Sequence, residues 1–168
     1  MRILILPKYQ FDAQLDKAGI TDLTVESRIG EYYISINDTI NGKYDVMPSY
    51  FRSDHENVLR LWFDDVSKDI NIPIIGTDKI KKVVAITEQQ AKQIINFLSH
   101  INPTTASILI IHCTAGVSRS GAVGEFAKEY FRPHINNIEF KNMNPNIAPN
   151  QHILILLKRL HLWSHYKE

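Results

Sequence analysis

Apolar positions along this chain follow two periods, and each stretch that keeps one predicts an element. The run Ile3-Leu4-Ile5-Leu6, ended by Pro7 and Lys8, predicts a buried first strand. Phe11, Leu15 and Ala18 then recur at helical spacing, so residues 10–18 read as a short helix with Gly19 as its stop. Residues 31–37 carry Tyr32, Tyr33, Ile34 and Ile36 and predict a second core strand, closed by the turn-forming pair Asn37-Asp38. From 38 to 57 the period disappears among Asn41-Gly42, Tyr44, Pro48, Tyr50 and Phe51, which reads as a long loop, either beside a functional site or plain surface. Residues 58–63 (Val58, Leu59, Leu61, Trp62, Phe63) predict a third strand running directly into Asp64-Asp65.

Residues 67–86 contain Pro73, Gly76, Lys79, Lys81 and Lys82 and show no sustained period, so no element is expected there. Thr87, followed three residues later by Gln90, has the spacing of a capping box; the helix it opens carries Ala91, Ile94, Ile95 and Leu98 on one face and ends before Pro103. Residues 108–111 are apolar at every position, as expected of a central strand covered on both faces. A helix over 118–131 presents Val123, Phe126, Ala127 and Tyr130 to the sheet. Its Gly121 and Gly124 cost helix stability and so imply close packing, and Pro133 closes it. Asn-rich turns and Pro145 break 134–149, and Ile153, Leu154, Leu157, Leu160 and Trp163 form a last amphipathic helix from Asn150 onward.

Strands alternating with helices imply an α/β fold, a largely parallel central sheet with helices on both faces, in one domain over residues 1–168. Ligands in such folds bind beyond the carboxyl ends of the strands. With 44% hydrophobic and 22% charged residues the composition is that of a globular protein, and a formal charge of +1 gives no long-range field suited to nucleic acid or membrane. No stretch approaches the roughly 20 apolar residues of a spanning helix, and the N-terminal apolar run is too short for a signal peptide core. A single cysteine excludes an internal disulfide framework and a cysteine-rich zinc site, which suits a reducing, cytoplasmic setting.

That cysteine, Cys113, stands where the buried strand ends and the next helix begins, within His112-Cys113-Thr114-Ala115-Gly116-Val117-Ser118-Arg119-Ser120-Gly121. The first turn of a helix offers unpaired N–H groups and the positive end of a macrodipole, which favour a thiolate and bind oxyanions. Arg119 adds a planar fork of donors matched to two oxygens of a tetrahedral phosphoryl group. A nucleophile and an anion clamp thus share one loop, in which Gly116 lets the chain turn its amides inward.

His112, Cys113, Arg119 and Ser120, with Gly116 between, resemble the signature loop of the cysteine-dependent protein tyrosine phosphatases: His-Cys, five residues, Arg, Ser. The resemblance is strong over residues 106–132 and architectural over most of the rest. It implies a phosphatase of the small dual-specificity or atypical type that hydrolyses phosphotyrosine, and phosphoserine or phosphothreonine with it, through a phosphocysteine intermediate, with neither metal nor cofactor. Thr114, Ala115, Gly116, Val117, Ser118 and Arg119 would cradle the phosphate, which sulfate or vanadate would imitate. Ser120 would stabilise the departing thiolate, unless it only caps the helix, and His112 would orient the loop, unless it is simply a core residue. Pro149-Asn150 resembles a Pro-Asn pair whose amide braces the loop, and an N-cap is the other reading of Asn150.

The departing oxygen needs a proton from a carboxylic acid, in the family an Asp just past the preceding strand. Asp65 fits that place, with Asp64 its rival, although it lies 48 residues (113 − 65) before Cys113, longer than the family's usual spacing, which keeps Asp78 in consideration. The partner expected is a phosphorylated protein or peptide, with no membrane and no nucleic acid. Phosphatases of RNA 5′ ends and of phosphoinositides use the same loop, but inositol phosphatases tend to carry loop lysines where Thr114, Ala115 and Val117 stand here. A phosphopeptide-binding protein without turnover would need a missing catalytic group.

Overall fold

A computed structural model describes residues 1–44 and 48–165, the side chains of 164 and 165 excepted. Residues 45–47, inside the loop expected over 38–57, lie outside the described residues. Four strands, β1 (Arg2–Pro7), β2 (Glu31–Asn37), β3 (Val58–Trp62) and β6 (Ile108–Cys113), form one sheet in the order β1-β6-β2-β3, every neighbouring pair parallel. The strand apolar at every position is therefore interior, as its pattern requires. The helices are α1 (Lys8–Lys17), α2 (Glu88–Ser99), α3 (Arg119–Tyr130), α4 (Asn137–Met143) and α5 (Gln151–His165). Among the described residues, no helix is long and apolar enough to cross a membrane.

Side-chain alternation sorts the sheet into two cores. Ile3 and Ile5, Ile34 and Ile36, Leu59 and Leu61, and Leu109 and Ile111 point into the larger one with residues of α2, α3, α4 and α5, whereas Leu6, Tyr33, Val58 and Ile110 join Phe11 and Leu15 of α1 and Phe51 of the long loop on the opposite face. This parity decides the site, because Cys113 shares the face of Leu109 and Ile111, toward α3, while His112 shares the face of Ile110, toward α1. α3 comes close to the sheet because Gly124 permits it, a Cβ there lying 2.4 Å from Ile5 Cδ1, and Gly121 lets it approach the segment before α5, a Cβ there lying 3.3 Å from Ile147 Cβ.

Three expectations are corrected. Residues 67–86 are not irregular: β4 (Ile70–Pro73) and β5 (Ile80–Val83) form an antiparallel hairpin. Its residues are nearly all exposed on both faces, so no burial period marks it. The segment 134–149 contains α4, opened by Asn136, whose Oδ1 accepts from the amides of Ile138 and Glu139; only Phe140 of this short helix is buried. Trp163 does not join the core face of α5 but is 65% exposed. The capping box of Thr87 and Gln90 forms as expected.

The edge strand β1 is closed by a side chain. Buried Asn144 accepts from Ile5 N through Oδ1 at 2.7 Å and donates through Nδ2 to Ile3 O and Phe140 O, both at 2.9 Å. Removing it strands two backbone groups away from water. Asn144→Ala should therefore lower unfolding stability by about 2–4 kcal/mol, measured by urea denaturation, and a loss under 1 kcal/mol would show that water replaces the amide at no cost.

Candidate active site

Because all four strands run parallel, their carboxyl ends deliver Lys8, Asp38, Asp64, Asp65 and the loop after Cys113 to one edge of the sheet. The loop is locked against β1. Lys8 N donates to Thr114 O at 3.3 Å, extending the strand pairing by one residue. Gly116 adopts φ +69, and a Cβ there would fall 2.3 Å from Pro7 N and 2.4 Å from Leu6 C, so the position has room for glycine alone.

At the base of this loop Cys113 is 2% exposed. Burial by itself would push its thiol up, but the hydroxyl of Ser120, with Oγ 3.1 Å from Sγ, the amides of Ser120 and Val117, and the positive charge of Arg119 outweigh it and hold the thiol below its ordinary value. Ser120, fully buried in the first turn of α3, faces the sulfur and is not the helix cap, which is Ser118.

Arg119 is 5% exposed, and three strand ends hold it. Its Nη1 donates to Phe63 O at 2.8 Å, and its Nη2 lies 2.6 Å from Asp38 Oδ1 and 3.1 Å from Thr114 Oγ1, whose own hydroxyl donates to Asp38 Oδ2 at 2.8 Å. The Nε of Arg119, buried, has no hydrogen-bond partner among the described residues. That donor suits an oxygen arriving with a ligand.

The two adjacent carboxylates differ completely. Asp64 is buried and accepts from Thr39 N and Thr39 Oγ1 and from Val84 N, while its own amide donates to Val84 O. It binds the end of β3 to the loop after β2 and to the segment after β5, a framework duty that leaves no geometry for the acid role considered for it. Asp65 is exposed and reaches the loop, its Oδ1 accepting from Ser118 Oγ at 2.9 Å and Asn150 Nδ2 at 2.7 Å. Asp78 lies in the turn of the β4–β5 hairpin, exposed, and among the described residues it makes no hydrogen bond or ion pair to the loop. The hairpin, inserted between Asp65 and α2, takes up the extra length that separates Asp65 from Cys113 in sequence.

Asn150 caps α5 with its side chain and meets the loop through its backbone. Its Oδ1 accepts from Ile153 N at 3.2 Å at the start of α5, its backbone amide donates to Ser118 O at 3.1 Å, and its side-chain amide goes to Asp65 rather than to the loop. Ala148 N adds a bond to Val117 O. His112 is fully buried, with Nε2 2.7 Å from Ser35 Oγ and its ring 4.1 Å from that of Phe11. Burial, with Lys8 and Arg119 nearby, depresses its pKa to about 3, so the ring stays neutral. Sequence reasoning missed Asp38, Thr39 and Ser35, whose positions at the end of β2 and just past it offered only a general hint: polar residues on a buried strand.

No family model matches the chain and no curated protein matches its sequence. Solved structures do. The human tyrosine phosphatase-like serine/threonine/tyrosine-interacting protein superposes with a TM-score of 0.54 at 16% identity, covering 96% of this chain and 92% of that one. The fold is that of the protein tyrosine phosphatases. The PTP-2 phosphatase of Cydia pomonella gives 0.50 at 16% identity, over 94% and 84% of the two chains. Within that fold, the strand–loop–helix unit of this chain holds the sulfur and the guanidinium around one loop, and Asp65, from the end of β3, reaches the loop through Ser118.

Two outcomes follow from these surroundings. Ser120→Ala should move the pH at which iodoacetamide alkylates Cys113 upward, toward that of an ordinary thiol; an unmoved profile would mean that the amides and Arg119 suffice alone. His112, near 3 when folded and about 6.5 when unfolded, leaves the unfolded chain with the extra proton between those values. Its stabilising contribution is complete above pH 6.5 and is lost as pH falls toward 3, by up to about 1.4 kcal/mol per pH unit. Urea midpoints from pH 7 to 5 should decline more steeply for the wild type than for His112→Asn.

Proposed function

We propose that this protein is a metal-independent, cysteine-dependent phosphatase that hydrolyses phosphotyrosine and, in the dual-specificity manner, phosphoserine and phosphothreonine in proteins. The reading is carried by one observation: Cys113 Sγ, its donor Ser120, the spare Nε–H of Arg119 and the reachable carboxyl of Asp65 surround a single anion-binding loop.

In this mechanism the loop amides and Arg119 hold the three non-bridging phosphoryl oxygens, and the Cys113 thiolate attacks phosphorus in line with the ester oxygen. The S–P bond forms as the P–O bond breaks, and Asp65 gives its proton to the departing oxygen. Water then attacks the phosphocysteine while Asp65, now a carboxylate, takes its proton. The S–P bond breaks, inorganic phosphate leaves, and the Ser120 hydroxyl donates to the returning thiolate. Asp38 acts as a positioning residue: by holding Nη2 it leaves Nε as the donor for substrate. The partner is a phosphorylated protein or peptide in a reducing compartment, and vanadate competes as an oxyanion.

The test is hydrolysis of p-nitrophenyl phosphate in EDTA. Wild type should turn over and be inhibited by vanadate, and Cys113→Ser should lose activity entirely while keeping its melting temperature. Asp65→Ala should lower kcat by about 10²–10⁴-fold without loss of stability, whereas Asp64→Ala should lose stability first. Full turnover by Cys113→Ser would reject the nucleophile.

A further inference from the structure

A concavity opens beside the loop. It is a groove of about 590 Å³ between the turn after β2, where Asp38, Ile40 and Asn41 line it, and the hairpin, where Ile74, Lys79, Ile80 and Lys81 do. Both walls are built rather than draped. Asn41 (φ +52) and Gly42 (φ +72) make a two-residue turn closed by the Ile40–Lys43 bridge, and Asn41 Oδ1 accepts from Lys82 N at 2.7 Å to fasten hairpin to turn. The base of the hairpin is pinned by Val84 through Asp64. The lining is aliphatic and exposed, with Ile40 and Ile74 each 43% and Ile80 58% exposed, and its charge is basic: Lys79 and Lys81 form no ion pair among the described residues. The only carboxylate among the lining residues, Asp38, is already neutralised by Arg119. Asp38 also joins the groove to the loop, since the same side chain lines one and holds the guanidinium of the other.

We propose that this groove is a specificity subsite that binds the part of a phosphoprotein chain flanking the phosphorylated residue, taking an aliphatic side chain next to an acidic one. It rests on the phosphatase reading for the position of the phosphoryl group. The aliphatic side chain covers Ile40, Ile74 and Ile80, and the acidic one meets Lys79 and Lys81. A basic flank without aliphatic side chains gains neither contact and leaves the lysines facing like charge.

Two phosphotyrosine peptides of equal length decide it, one with Leu and Glu on both sides of the phosphotyrosine and the other with Gly and Lys. Wild type should show kcat/KM at least about tenfold higher for the first, the scale of burying one aliphatic side chain. Ile80→Asp and the pair Lys79→Glu with Lys81→Glu should each remove most of that preference, while the rate on p-nitrophenyl phosphate, too small to reach the groove, stays that of wild type. Equal rates on the two peptides, or variants that keep the preference, overturn the subsite. If wild type fails to hydrolyse p-nitrophenyl phosphate, the phosphatase reading has failed by itself. Fluorescence anisotropy of the labelled Leu-Glu peptide then judges the groove: binding weakened by Ile80→Asp supports it, and no binding overturns it.

Discussion

The pair of Asp38 with Arg119 is the contact on which the geometry of the loop depends. An arginine in the first turn of a helix has rotamers enough to point into solvent, and here it is held by a carboxylate from the end of β2, a carbonyl from the end of β3 and a hydroxyl from the end of β6. Burying a guanidinium is costly unless its donors are met, and four of the five N–H groups belong to the two nitrogens these acceptors hold. The remaining one, on Nε, meets no acceptor among the described residues. The strand order makes this possible: only parallel neighbours bring Asp38, Phe63 and Thr114 to the same edge of the sheet.

Beneath that clamp the thiol stands between opposed influences. Desolvation favours the neutral form and the surrounding donors favour the anion, and the donors prevail. Their placement follows from strand alternation. Neighbouring residues on β6 face opposite layers, so the sulfur turns toward α3 and its donors while the imidazole of His112 turns toward Phe11 and Ser35, where burial keeps it uncharged. One strand end thereby places a thiol held below its ordinary value beside an imidazole held neutral.

Much of this was legible in the sequence. The sheet strands show as short apolar and aromatic runs, the interior place of β6 as its unbroken apolar stretch, and the loop as the succession His112, Cys113, Gly116, Arg119. What escaped reading has physical reasons. The β4–β5 hairpin is exposed on both faces and lacks a burial period, and α4 buries a single aromatic. The division of labour between Asp64 and Asp65 depends on whether Thr39 and Val84 arrive to claim the first carboxylate, which adjacent identical residues cannot reveal. Asp38, read only as the end of a strand, becomes the partner of Arg119 through a contact across 81 positions of sequence (119 − 38), beyond the reach of any local pattern.

The side-chain closure of β1 extends beyond stability. Along the outer margin of that strand, Ile3 O and Ile5 N are both occupied by Asn144, and the next outward position is Pro7, which has no N–H. An extended peptide, or a second copy of the chain, would have to displace Asn144 before it could extend the sheet across this border. A single amide side chain thus guards the margin that the strand order leaves open.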